Sequence, residues 1–443
     1  MTNDTNDTTP TASNETATTP AIRAALRAHA HELDTSDPET DLAPNVLPEG
    51  IHDAAVVALG EGTHGTREFF RLKHRLLRHL VTETGVRTFA MEANAPEARA
   101  LDEYVVHGRG DPEAGLEGLY FWTWQTEEVR DLVEWLRAFN RGRPLDDRVR
   151  FFGFDAQYTH GGVERLREFL RDVDPGFLAD ERPALNALDD HGEPPHQDER
   201  LDVILGATGV VDRLRDRFED RETAYIEAVN EHEYAFARRC VEVLGQAVAY
   251  KRAMRDWDED DPESVERALG VRDRAMAANV EWVRERRAGP VVLWGHDAHL
   301  NRDRHPYRGT GVSAPSMGAH LADAYGDDYA AVGFAFGRGS FQAVGKRDGE
   351  FALREWTVDG PRSRTIEAAL GALGHDICLL DARRARDDHR LAEWVGTPRQ
   401  RFGIGATLDP ETLAQYLVEY PAGRAFDGVL YVDATTRARP LGE

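Results

Sequence analysis

Apolar and polar positions along the chain keep two rhythms: short apolar runs closed by glycine or an acid, and longer stretches with apolar residues at helical spacing. The run 54–59 is short enough for a strand buried on both faces. It leads into Gly60-Glu61-Gly62-Thr63-His64-Gly65, after which Phe69, Phe70, Leu72, Leu76, Leu77 and Leu80 recur as a helical stripe. The three glycines offer this turn backbone angles that other residues resist. A second run, 86–91, ends at Glu92 and precedes a helix over 96–106, and this β-α-β order implies parallel pairing with a right-handed crossover. A helix over 126–139 and a third strand, 150–154, follow, the strand ending in Asp155.

The stretch 163–287 reads as mostly helical, interrupted near Pro175, Pro183, Pro194-Pro195 and 256–262. Its stripe through Tyr225, Val229, Phe236, Val243 and Val248 predicts one long helical segment over 222–255. Strand patterns then return at 290–294, 329–336, 341–344, 377–380 and 429–432, with glycines at 337–339 separating the middle pair. A helix over 21–33 and a Pro-containing linker precede everything. The fold class predicted is α/β, with two groups of mostly parallel strands flanked by helices around a central cleft, in two sheets or one interrupted sheet. The organisation predicted is an acidic disordered tail (1–20), an N-terminal α/β lobe (21–160), a helical region serving as lid or side wall (161–288) and a C-terminal α/β lobe (289–443).

Composition sharpens this picture. The formal net charge of −25 argues against nucleic acid as a partner, because phosphate is repelled. Three lysines leave 51 of the 54 basic residues as arginine. Abundant acid with almost no lysine is a haloarchaeal-type, halophilic composition, and folding is expected to require high salt; unfolding curves recorded from low to molar KCl check this. No apolar run reaches the eighteen or so residues of a membrane span. The Thr/Asn/Asp-rich start has neither a basic nor an apolar signal region, so a cytoplasmic location is expected. Cys240 and Cys378 are too few for a disulfide framework and read as small core residues.

The polar residues at predicted strand ends are Glu61, His64, Glu92, Asp155, His296 and His299, which points to one shared site, since ligands of open α/β sheets bind at that edge. Phe121-Trp122-Thr123-Trp124 supplies aromatics for a pocket wall. In one chemistry His64 is a general base activating water, oriented by Glu61 or Glu92, while Arg272 or His296 stabilises an oxyanion. In another, Glu61, His64, Glu92, Asp155 and His296 hold a divalent metal that activates water. A serine nucleophile is disfavoured, because Gly339-Ser340-Phe341 lacks the second glycine of a nucleophile elbow. A binding protein holding a small cationic ligand in an acidic cleft is the reading outside enzymes.

Gly60-Glu61-Gly62-Thr63-His64-Gly65-Thr66-Arg67-Glu68-Phe69 resembles the signature of the erythromycin esterase family. So, in order, do Ala90-Met91-Glu92-Ala93, Phe121-Trp122-Thr123-Trp124, Gly153-Phe154-Asp155-Ala156-Gln157, Arg272-Asp273-Arg274-Ala275 and Val292-Leu293-Trp294-Gly295-His296-Asp297-Ala298-His299. The resemblance implies a hydrolase of carboxylic esters or macrolide-type lactones, linked to antibiotic response, with no metal or other cofactor. It implies His64 as the base, Glu61, Glu92, His296 and Arg272 as its catalytic companions, and Lys73 in the cleft where some members carry arginine. With Lys73, the residues Trp122, Trp124, Asp155 and His299 make up the expected substrate-binding set. One departure stands out: family members often carry Ala and Asn where this chain has Gly295 and Asp297. An acid beside His296 is expected to raise that histidine's pKa if it lies within about 4–6 Å.

Overall fold

A computed structural model describes residues 18–43, 46–194, 199–307, 311–347 and 349–442. Most of the expected tail lies outside the described residues.

The two strand groups meet in one ten-stranded sheet. The strands named first are β1 (Ala30–Glu32), β2 (Val56–Leu59), β3 (Thr88–Asn94), β4 (Arg150–Asp155) and β5 (Val291–Trp294). Across the sheet the order is β1, Ile377–Asp381, Gly428–Thr435, Tyr329–Arg347, β2, β5, β3, β4. From Gly428–Thr435 to β4 every neighbouring pair is parallel, and Ile377–Asp381 runs antiparallel to both Gly428–Thr435 and the edge strand β1. A late strand, β5, sits between the early β2 and β3, so early and late stretches of chain share one sheet. The sequence left two sheets or one open; the interleaving settles it.

The period of two in these strands explains their burial. Val57 and Leu59 of β2 enter one apolar cluster, and Val56 and Ala58 enter the cluster on the other face. Val292 and Trp294 of β5 divide from Val291 and Leu293 in the same way. Phe69, Phe70, Leu72, Leu76, Leu77 and Leu80 of helix Arg67–Glu83 pack into the first cluster, as their spacing predicted. Side-chain caps explain other helix starts: Thr126 accepts from Val129 N–H before Glu127–Asn140, and Ser316 from Ala319 N–H before Met317–Tyr325.

Three sequence expectations need correction. The first helix ends at Ala28, and β1 follows it as an edge strand paired to Cys378–Leu380, a partner that local pattern cannot reveal. The strands expected at 329–336 and 341–344 form one strand, Tyr329–Arg347. Its glycines pass close neighbours instead of ending it: a Cβ on Gly339 would lie 2.1 Å from the Thr435 carbonyl oxygen, and Gly339 itself has φ +117°. The segment 222–255 breaks at Val229, where Asn230 caps a new helix, Glu231–Arg255. The helical region carries its own apolar cluster, including Leu166, Leu185, Phe218, Tyr225 and Leu244. A two-stranded ribbon, Pro398–Phe402 with Leu417–Pro421, went unread in the sequence and forms part of the wall described next.

Candidate active site

A cavity of about 590 Å³ opens at the carboxyl ends of the parallel strands. His64, Glu92, Asp155, Arg272, His296 and His299 line it, together with Trp122 and Trp124. Eight of the ten expected site residues therefore face one cavity. Glu61 and Lys73 do not; both are fully buried behind His64.

The turn after β2 is shaped by contact. None of Gly60, Gly62 and Gly65 has positive φ, which corrects the expectation from backbone freedom. A Cβ on Gly65 would lie 2.0 Å from the Gln342 carbonyl oxygen, and one on Gly62 2.8 Å from that of Phe334. The glycines let the turn lie flat against the long strand. Gly65 N–H donates to Thr63 Oγ1 (3.0 Å), which locks the tip. His64 and Glu61 are thereby brought together, with Nδ1 and Oε1 2.6 Å apart. Lys73, from the helix that follows, donates to the other oxygen, Glu61 Oε2, and its ammonium lies 4.4 Å above the Trp294 ring. Burial pushes the Lys73 pKa down, against the pull of Glu61. Lys73 thus holds Glu61 in place and does not reach the cavity, contrary to the substrate-binding role expected for it.

On the neighbouring strands β3 and β5, Glu92 and His296 form a second centre. β3 shifts register against β4 between Met91 and Asn94, within the stretch that carries Glu92. Glu92 Oε2 accepts the His296 backbone N–H (2.7 Å) and Oε1 accepts from Arg272 Nη2 (2.8 Å). Burial raises the Glu92 pKa, but His299, Arg272 and His64 outweigh it and hold the carboxyl below its ordinary range. Arg272 also donates through Nε and Nη2 to Asp155 (3.1 and 2.9 Å), and through Nη1 to His299 Nε2 (2.8 Å). Asp155 is aligned in turn by Ala156 N–H and the Gln157 amide.

His296 caps the short helix Asp297–Leu300, its Nδ1 accepting from Ala298 N–H (3.2 Å). A neutral imidazole that accepts at Nδ1 carries its proton on Nε2. That Nε2 is buried without a partner among the described residues, and the ring lies 5.0 Å from the His64 ring. Burial and the neighbouring His64 push the His296 pKa well below its ordinary value. The rise expected from Asp297 does not occur, because its carboxylate turns away to Arg401 and the Phe334 N–H.

His299 lies between Arg272 and Asp273, its Nδ1 2.9 Å from Asp273 Oδ1 and its Nε2 3.4 Å from Glu92 Oε1. Burial pushes its pKa down, and Asp273 and Glu92 overcome this to raise it. Trp124 donates from its indole to the Glu92 carbonyl oxygen (3.1 Å) and sets its ring edge-on to His64, so it is both core and wall. Trp122 is half-buried on the same wall.

The sequence reading missed Asp273, His305, Arg401 and the tyrosines 120, 158, 250, 416 and 420, all but Asp273 on the cavity wall. Asp273 stood beside Arg272 in a quoted motif, which was a usable signal; the tyrosines and Arg401 come from segments without one. The residues of the metal reading are committed elsewhere: Glu61 is engaged by His64 and Lys73, while Glu92 and Asp155 are engaged by Arg272. Among the described residues, the groups whose ligand atoms converge are instead Asp273 with His299 and His305, and Asp189 with His160 and His191.

No helix among the described residues is long and apolar enough to cross a membrane. The protein is similar to erythromycin esterase type II of Escherichia coli, 27% identical over 350 residues that cover 73% of this chain and 80% of that protein. Its fold matches a crystal structure of a Bacillus cereus protein (TM-score 0.78, 24% identity, 95% and 98% of the two chains covered). It also matches a histidine-to-asparagine mutant of the erythromycin esterase EreC in its open conformation (TM-score 0.64, 19% identity, 87% and 91% covered). The family profile described as erythromycin esterase matches residues 81–435, the greater part of the chain. With that match, the chain belongs to the erythromycin esterase family and is a hydrolase.

Proposed function

We propose that the protein hydrolyses a carboxylic ester or macrolide-type lactone with water activated by His64, so acting in antibiotic response as an ester hydrolase of the cytoplasm. One observation carries this reading: the His64 and His296 rings lie 5.0 Å apart on the cavity wall with opposite groups left free. Glu61 accepts the His64 Nδ1 proton, which leaves Nε2 as a base. His296 presents Nε2–H, a donor that burial keeps neutral.

Water lying on His64 Nε2 attacks the carbonyl carbon and gives Nε2 its proton as the new C–O bond forms. Glu61 orients the ring and faces the positive charge that forms on it, and Lys73 holds Glu61 in place. The carbonyl oxygen becomes an oxyanion, and His296 Nε2–H and Arg272 stabilise it. Collapse of the tetrahedral intermediate breaks the bond to the alcohol oxygen, and the imidazolium returns its proton to that leaving alkoxide. Acid and alcohol result, joined in one molecule when the substrate is a lactone. The aromatic wall suits a partly apolar small molecule, and no cofactor enters any step.

The test is a panel of activated esters and macrolides in high salt, with products followed by mass spectrometry. At least one substrate is expected to be hydrolysed by wild type and not by His64→Ala, a lactone gaining the mass of one water and an ester splitting into its acid and alcohol. An unchanged rate in that variant sinks the mechanism.

A further inference from the structure

We propose that Asp273 is a positioning residue for this reaction, setting which nitrogen of His299 carries the proton and thereby where Arg272 aims its guanidinium. The inference rests on the hydrolase reading above. Arg272 spends its Nε–H and both Nη2 hydrogens on Asp155 and Glu92, and one Nη1 hydrogen on His299 Nε2. One Nη1 N–H is left for the cavity that Arg272 lines. The guanidinium is planar, so that last N–H keeps its aim only while the whole fork is satisfied, and its twin needs a lone pair on His299 Nε2. A neutral His299 offers that lone pair only when its proton is on Nδ1, and Asp273 Oδ1, 2.9 Å away, is the acceptor that selects this tautomer.

Asp273 is itself rigidly held. It is 0% exposed, Oδ1 also accepts Met317 N–H (2.8 Å), and Oδ2 lies 3.2 Å from His305 Nδ1. The carboxylate therefore ties the His299 turn, the ribbon Arg304–Pro306 and the start of helix Met317–Tyr325 to the residue next to Arg272. His305 lines the cavity, so the far oxygen of Asp273 is held by a residue that a substrate can touch. Without the carboxylate, His299 is free to place its proton on Nε2, where it opposes Arg272 N–H and turns toward Glu92 Oε1 at 3.4 Å.

The test reads the tautomer directly, in protein labelled with 15N-histidine, with the His299 signals assigned by their loss in His299→Gln. At a pH where His299 is neutral, wild type is expected to show Nδ1–H and an unprotonated Nε2. Asp273→Ala is expected to show a mixture, with kcat lowered at least about 10-fold and KM within about 3-fold. Asp273→Asn retains an acceptor oxygen for His299 and Met317, and is expected to restore the Nδ1–H tautomer and most of kcat. Three results overturn the proposal: a wild-type spectrum with Nε2–H, a tautomer unchanged in Asp273→Ala, or an Asp273→Asn variant that restores the tautomer while kcat stays as low as in Asp273→Ala. Stoichiometric uptake of Zn²⁺ by wild type, abolished in Asp273→Ala, also overturns it and makes the three ligand atoms a cation site. The wild-type spectrum decides even if the alanine variant does not fold. The spectra likewise separate failure of this proposal from failure of the ester-hydrolase reading, which the substrate panel tests.

Discussion

The turns after β2 and β5 end neighbouring parallel strands, and each begins with glycine and delivers a histidine to the same cavity, yet the two histidines are built for opposite tasks. His64 gives its Nδ1 proton to Glu61, and His296 receives one at Nδ1 from the Ala298 backbone. The nitrogen facing the cavity is a lone pair in one turn and an N–H in the other. Their surroundings differ as well. Glu61 and Lys73 form a sealed ion pair behind His64, while the His296 carboxylate neighbour, Asp297, is turned away to Arg401. Which residue is base and which is donor follows from what each ring touches on its far side, and the residue type alone does not decide it.

The sharpest way to break this comparison is to remove one ring at a time. His64→Ala is expected to lower kcat by about 10²–10⁴-fold, as loss of a general base does. Lys73→Met leaves Glu61 as an uncompensated buried charge and is expected to cost about 3–5 kcal/mol, read by denaturant unfolding in high salt. His296→Ala is expected to lower kcat by about 10²–10³-fold with little change in KM, the pattern of a lost oxyanion donor. Were His296 a second base, its variant would instead change the pH–rate profile.

Acid separates the two turns further. The His296 pKa lies below its ordinary 6.5, so the unfolded chain binds this proton more readily and stability falls as pH drops below about 6.5. Glu92, held below its ordinary 4.5, adds a second loss as pH falls under about 4.5. His299, whose pKa is raised, acts in the opposite sense, its contribution being complete below 6.5 and lost as pH rises through its folded value. Melting temperatures across pH 4–8 are expected to show the acid losses, and His296→Asn to flatten the upper one. The smallest contrast is steric. A methyl on Gly62 meets the backbone oxygen of Phe334 at 2.8 Å and is expected to cost about 1–3 kcal/mol. On Gly295 it would meet a side chain, Glu92 Oε2 at 3.0 Å, so Gly295→Ala is expected to cost less stability than Gly62→Ala but to lower kcat, because it presses on a carboxylate that the His296 N–H and Arg272 hold.

Much of this arrangement was legible in the sequence because it is local. A strand of period two, a turn and a helix of period 3.6 place Glu61 and His64, and the same logic reaches Glu92, Asp155 and His296. The interleaving of β5 between β2 and β3 was not legible, since strand order depends on partners far apart in the chain. Nor was the environment of the charges. Lys73, which only the family resemblance places in the cleft, is buried under Glu61 by the fold, and Asp297 looks like a neighbour of His296 until Arg401, 104 residues on, claims it. The tyrosines of the wall come from loops (Tyr120, Tyr158), a long helix (Tyr250), a 3-10 turn (Tyr416) and a ribbon strand (Tyr420), and only the fold gathers them.

The sealed Glu61–Lys73 pair has a consequence for ionic strength. At 1 M salt, interactions between exposed charges more than about 3 Å apart are largely screened, whereas a buried pair is screened far less. Both side chains here are 0% exposed. Concentrated salt can therefore neutralise the outside of a molecule of net charge −25 while leaving the field on His64 nearly as it is in dilute buffer. The protein keeps two electrostatic regimes in one chain, and only the outer one answers to the solvent.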